Sequence, residues 1–205
     1  MGTDKRNELL TTYTSDVHAL ITHGHKAIQR QVENLKNVSH LDAKNAVVEL
    51  ERVLVAQKTA IEARITALGG SSTQPVKDAV SAVAGVAAGL INAVRSSETA
   101  KSIRDDHTFF SQLGVAWLMM HTTAMALGDV ETARVAERGY KDTARCIMHI
   151  DKILPKIVVE EIRESVTSAT DATEQTRTMM MNAWNREAPT FGASGSTAQP
   201  RPAHS

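Results

Sequence analysis

The sequence predicts an all-α protein, a bundle of four long helices in two hairpins, with one long crossover between the hairpins. Three observations predict it. The prolines stand only at positions 75, 155, 189, 200 and 202, so residues 1–74 and 76–154 are free of the strongest helix breaker. Apolar residues recur at three- and four-residue spacing, the stripe of an amphipathic helix. Only 3% of the 205 residues are aromatic against 42% hydrophobic. The core is therefore built from Ala, Val, Leu, Ile and Met, which suits close-packed helices better than a sheet.

The first helix spans about residues 5–37, with its stripe at Leu9, Tyr13, Asp16/Val17, Leu20, Gly24, Ala27/Ile28, Gln31 and Leu35. At 1.5 Å per residue it runs roughly 45–50 Å. Ser39 followed by Asp42 reads as a capping box opening the second helix, whose stripe is Leu41, Val47/Val48, Leu50/Glu51, Leu54, Ile61, Ile65 and Leu68. Gly69-Gly70 ends that helix. After the turn-forming GGSSTQP at 69–75, Pro75 starts a short apolar helix that ends near Val94, and Ser96 or Ser97 caps the next. The third long helix carries Ile103, Phe109/Phe110, Leu113, Trp117, Met120, Ala124 and Leu127, and Gly128 closes it. Asp129 caps the fourth, which repeats Ala133, Ala136, Tyr140, Thr143, Ile147, Ile150 and Leu154 up to Pro155. Beyond the proline, Val158, Ile162, Val166 and Ala169 predict a further helix reaching Met179–Met181 and Trp184. The predicted division is a helical domain over 1–186 and a disordered Pro/Gly/Ser-rich tail over 187–205. One long connection, residues 69–97, between two hairpins is the ferritin-like arrangement; an up-down bundle needs only short loops.

With 23 basic and 23 acidic side chains the formal net charge is zero. Nothing in that balance favours nucleic acid or anionic lipid, so neither is an expected partner. Cys146 is the single cysteine, which excludes an intramolecular disulfide framework and a thiolate metal cluster. The opening MGTDKRNELL carries charges where an export signal needs an apolar core, and the expected location is cytoplasmic. Residues 79–94 are the most apolar run and contain Gly85-x-x-x-Gly89. The run is shorter than the roughly 20 residues of a membrane span, and a helix tucked between others is the expected reading.

A ferritin-like bundle that houses two metal ions uses a Glu on each of two helices and Glu-x-x-His on the other two. No Glu in this chain precedes a His by three residues. The stripe positions read Leu20, Leu54, Leu113, Trp117 and Ile147, an apolar interior without ligands. His18, His23 and His25 invite a metal reading, but His18 and His25 share a face outside the stripe and are expected to be solvated or capping. His23, His121, Asp16 and Asp142 are the candidates for an unusual ligand set. Asp105-Asp106-His107 reads as a polar helix start. Cys146 reads as a buried structural thiol, since no charged partner is implied to activate it. No nucleophile elbow, phosphate loop or dinucleotide fingerprint occurs. No catalytic, cofactor-binding or metal residue is assigned.

YTSDVHALITHGHKAIQRQ at 13–31, the AGLINAV...MALGD run at 88–129 and YKDTARCIMHIDKILP at 140–155 together resemble the ferritin-like proteins of unknown function typified by the bacterial YciE and YciF stress-associated proteins, over roughly residues 8–160. Asp16–Ala19, the Leu-Gly-Asp turn at 127–129 and the closing Leu154-Pro155 carry the match. The resemblance implies a commonly dimeric bundle tied to bacterial stress responses, with a carboxylate-bound metal pair in some members. That metal site does not carry over. Where the family has its Glu residues this chain reads Ile21 or Thr22, Ala56 or Gln57, Phe110 and Leu113, and only Asp142 keeps an oxygen ligand.

The leading expectation is a non-enzymatic ferritin-like bundle acting through protein–protein association, as a homodimer or with another protein, in bacterial stress tolerance. The alternatives are a metal-binding or oxidase-like member using the unusual set, and a small-ligand carrier using the bundle interior and the 79–94 helix.

Overall fold

The computed structural model describes residues 3–35, 40–71, 99–163 and 171–184, and these form helices with no strand among them. The helices are α1 (Thr3–Asn34), α2 (Leu41–Ala67), α3 (Thr99–Ala126), α4 (Val130–Ile162) and α5 (Ala172–Trp184). The expected short helix over 75–94, the Ser39 and Ser96/Ser97 caps and the 187–205 tail lie outside the described residues.

Cross-helix contacts fix the directions. Gln31 near the end of α1 bonds Ser102 at the start of α3, while Arg6 near the start of α1 bonds the Leu127 carbonyl just past the end of α3. The two helices are antiparallel. Arg64 at the end of α2 meets Asp129 and Thr132 at the start of α4, and Lys156 late in α4 meets Asp42 at the start of α2. These two are antiparallel as well. Going round the bundle the order is α1, α2, α4, α3, with α2 and α3 on a diagonal and pointing the same way. The segment joining α2 to α3 therefore links opposite ends of the bundle, which is the one-crossover topology the loop lengths predict.

The core follows the stripes with shifts of a residue. Leu10, not Leu9, is buried on α1, with Val17, Leu20, Ile21, Ile28 and Leu35. On α2 the buried line is Ala43, Val47, Leu50, Leu54, Ile61 and Ile65, and Leu41 and Val48 face outward. On α3 the predicted Ile103, Phe109, Phe110, Leu113, Trp117, Met120 and Ala124 are all buried. On α4 the line is Ala136, Gly139, Thr143, Cys146, Ile150 and Ile157, with Tyr140 mostly outside it.

Helix ends show why the chain folds this way locally. Asp129 caps α4 as expected, accepting from the Thr132 amide at 2.8 Å. Gly69 and Gly128 take φ of +83° and +66° after α2 and α3, the left-handed geometry that closes helices. The residue before α2 is His40, whose side chain makes no capping bond and instead holds Glu160 at 3.0 Å.

Pro155 does not end α4; it lies inside the helix, which continues to Ile162. A proline within a helix costs roughly 3 kcal/mol. Beyond it Ile157 is fully buried, contributing about 1.5–3 kcal/mol. Lys156 and Glu160 also bind Asp42 and His40 of the first hairpin. Of the extension predicted beyond the proline, the described residues contain the last two turns of α4 and the helix α5, while Val166 and Ala169 lie outside them.

Candidate functional site

Polar side chains on the inner faces define the candidate site, because each costs desolvation unless a partner repays it. Midway along α2, Gln57 falls between Leu54 and Ile61 on the buried line and is 4% exposed. Its Nε2 donates to the Gly139 carbonyl and to Thr143 Oγ1 of α4, both at 3.0 Å. Its Oε1 meets no donor among the described residues.

Trp117 of α3 packs flat on the α4 backbone at Gly139, where any Cβ would fall inside the indole ring's van der Waals surface. The indole is fully buried and its Nε1–H also lacks a partner among the described residues. Gln57, Trp117 and Gly139 line a cleft of about 310 Å³ at the α2–α4 seam, with Ala56, Ala60 and Val135 as apolar wall and Arg134, Arg138, Glu131 and Asp142 at its rim.

The rim is charged and mostly paired. Arg134 bonds Glu131 at 2.7 Å and Arg145 bonds Asp142 at 2.8 Å. Arg138 has neither an ion pair nor a hydrogen bond among the described residues. Chemically the floor offers amide, hydroxyl and indole groups, which bind and orient by hydrogen bonding. The partner of the Thr143 hydroxyl is the Gln57 amide, which is not a base and does not activate it.

A second polar cluster joins α1 and α3. Gln31 Nε2 donates to Ser102 Oγ at 2.7 Å, and Asp106 lies beside them. Asp106 is not part of a polar helix start: α3 begins at Thr99, and Asp106 is buried two turns in, between Ile103 and Phe110. Burial pushes its carboxyl up to about 8, against the opposing effect of a Gln31 hydrogen bond. One of its oxygens meets no donor among the described residues.

Four of the described histidines, His18, His25, His40 and His107, face a carboxylate of another helix. His18 and His25 are not solvated; they face α2, His18 Nε2 at 3.0 Å from Glu62 and His25 Nε2 at 3.8 Å from Glu51. His107 reaches Asp151 of α4 at 3.2 Å. Among the described residues no three His, Cys, Asp or Glu side chains stand close enough together to hold an ion, so His23, His121, Asp16 and Asp142 are not gathered. Asp142 sits at the cleft rim with Arg145, outside the interior. Of the other positions aligned with the resembled family's ligands, Ile21, Phe110 and Leu113 are fully buried and apolar, Thr22 is half-buried, Ala56 is exposed and Gln57 is buried. Burial pushes the Cys146 thiol up to about 12, assisted by Glu49 and Asp142. No helix among the described residues is long and apolar enough to cross a membrane.

Sequence reasoning passed over Gln57, Trp117, Gly139 and Thr143 as a group. The signal was present in the α2 stripe, which steps from Leu54 to Ile61 with a gap that Gln57 fills at helical spacing.

No sequence family and no curated protein matches the chain. Among solved structures, a protein from Xanthomonas campestris pv. campestris matches with a TM-score of 0.64 and 14% sequence identity, covering 78% of this chain and 99% of that one. At that identity the likeness is one of fold: an all-α bundle shared with a bacterial protein across nearly its whole length.

Proposed function

We propose that the protein is a non-enzymatic, ferritin-like helical bundle that works by association, its first partner being a second copy of itself. The observation that carries this reading is α3, which is apolar on two faces. One face is the core line of Phe110, Leu113, Trp117 and Met120. The other presents Val115, Leu118, Met119 and Met125 at helical spacing, each between 45 and 60% exposed. A helix that is apolar nearly all round is normally covered nearly all round.

The up-down-down-up order of the helices supports the ferritin-like label. The resemblance to the YciE and YciF proteins adds a dimeric state, a bacterial stress setting and a cytoplasmic location to the proposal. The apolar residues at the positions of the family's metal ligands support a role other than oxidase chemistry.

Sedimentation equilibrium tests the reading. The wild type is expected to be a dimer at micromolar concentration, and the Leu118→Glu/Met119→Glu variant a monomer with unchanged helical circular dichroism. A wild type that stays monomeric at about 100 μM, weaker than a specific interface gives, overturns self-association. Near-stoichiometric iron, manganese or zinc in protein purified without chelator overturns the non-enzymatic assignment.

A further inference from the structure

The α2–α4 cleft carries an inference independent of association through α3. Two of its lining side chains, each at least nine-tenths buried, carry groups of opposite kind that are unmatched among the described residues, the Gln57 Oε1 acceptor and the Trp117 Nε1–H donor. An unmatched buried polar group costs the fold free energy, so a pair of them beside one cleft is a recognition feature more readily than a packing accident. A hydroxyl is the smallest group that answers both, donating to the amide oxygen while accepting from the indole.

The wall of Ala56, Ala60 and Val135 suits an apolar body. At the rim, the Glu131–Arg134 and Asp142–Arg145 pairs cancel, leaving Arg138 as a single cation with no partner among the described residues. One uncompensated guanidinium selects one anionic group, and its planar fork matches a carboxylate. A cleft of about 310 Å³ is at the small end of ligand sites and suits a compact molecule.

We propose that this cleft binds a small hydroxylated monocarboxylate, with the hydroxyl on Gln57 and Trp117 and the carboxylate on Arg138. Both atoms are covered in the unbound fold, so binding the hydroxyl requires the lining side chains to shift. Binding then leaves the fold with neither group unmatched.

The test uses the full chain labelled with ¹⁵N and carrying Trp184→Phe, which makes Trp117 the source of the only indole N–H resonance. The probes are 4-hydroxybenzoate and the flexible 4-hydroxybutyrate. At least one is expected to shift that resonance saturably. Removing the hydroxyl (benzoate or butyrate) is expected to weaken binding about tenfold or more, and so is Arg138→Ala, an exposed substitution that leaves the core intact. The uncharged amides of the same probes are expected to be insensitive to Arg138→Ala. No saturable shift with either probe up to about 10 mM, beyond which affinity is nonspecific, overturns the proposal. So does binding that ignores Arg138→Ala or loss of the hydroxyl, as when water alone serves the two atoms.

Discussion

Arg64 holds Asp129 with its Nη2 at 2.8 Å from both carboxylate oxygens, tying the last turn of α2 to the N-cap of α4. The same guanidinium donates through Nε to Thr132 Oγ1 at 2.7 Å, and Arg6 of α1 approaches Asp129 at 3.5 Å. Burial alone would raise the Asp129 pKa. The Thr132 hydrogen bonds, Arg64 and Arg6 outweigh it and hold the carboxyl below the usual carboxylate range. Asp129→Ala removes a cap and a well-buried charged hydrogen bond together and is expected to cost about 2–3 kcal/mol in urea unfolding. Because the folded pKa lies below the unfolded one, this contribution is complete above about pH 4 and fades as the pH falls further. A stability curve in which Asp129→Ala costs as much at pH 2.5 as at pH 7 contradicts it.

Asp106 has the opposite sign. Its folded pKa is raised to about 8 from 3.8, so the unfolded chain releases the proton first. From pH 4 upward it lowers stability, with a slope of up to about 1.4 kcal/mol per pH unit, until the folded carboxyl ionises near pH 8. Asp106→Asn keeps the shape without the charge. It is expected to raise the melting temperature at pH 8 while changing it little at pH 4; equal shifts at both values contradict the account.

The same residue shows what a sequence can and cannot disclose. The α3 stripe reads correctly because six large side chains repeat at helical spacing, and the α4 cap reads correctly because Asp129 follows a glycine that must stop α3. Asp106 and Gln57 occupy the same kind of buried positions as Gln31, but whereas Gln31 falls on the α1 stripe, the polarity of the other two reads as outward. What holds them inside belongs to other helices: Ser102 for Gln31, Gly139 and Thr143 for Gln57. His18 and His25 read as solvated because their partners, Glu62 and Glu51, are tens of residues away. Pro155 reads as a stop because the cost is local, whereas the compensation through Asp42 and His40 is not.

The two close approaches of helices are expected to reject even a methyl group. A Cβ at Gly139 would enter the Trp117 indole, and one at Gly24 would enter the Phe109 ring. Alanine normally favours a helix by about 1 kcal/mol over glycine, so the sign is the test. Gly139→Ala and Gly24→Ala are each expected to destabilise by about 1–3 kcal/mol in chemical denaturation. A gain in stability at either position contradicts the packing.

Cys146 is 4% exposed, with its thiol pushed up to about 12. Native protein is expected to react with a disulfide reagent at pH 8 only at the rate of local or global opening, and at full rate in denaturant. Rapid stoichiometric labelling of the native chain contradicts the burial.

The end-to-end connection between α2 and α3 divides the chain into two covalently local halves. Within each half, neighbours in space are neighbours in sequence. Between them run Gln31–Ser102, Arg64–Asp129, Gln57–Gly139 and Lys156–Asp42, none of which depends on the backbone being continuous. A single cut in the connecting segment leaves two complementary fragments, each an antiparallel pair of helices carrying half of every lock. The bundle is in that sense a heterodimer written on one strand.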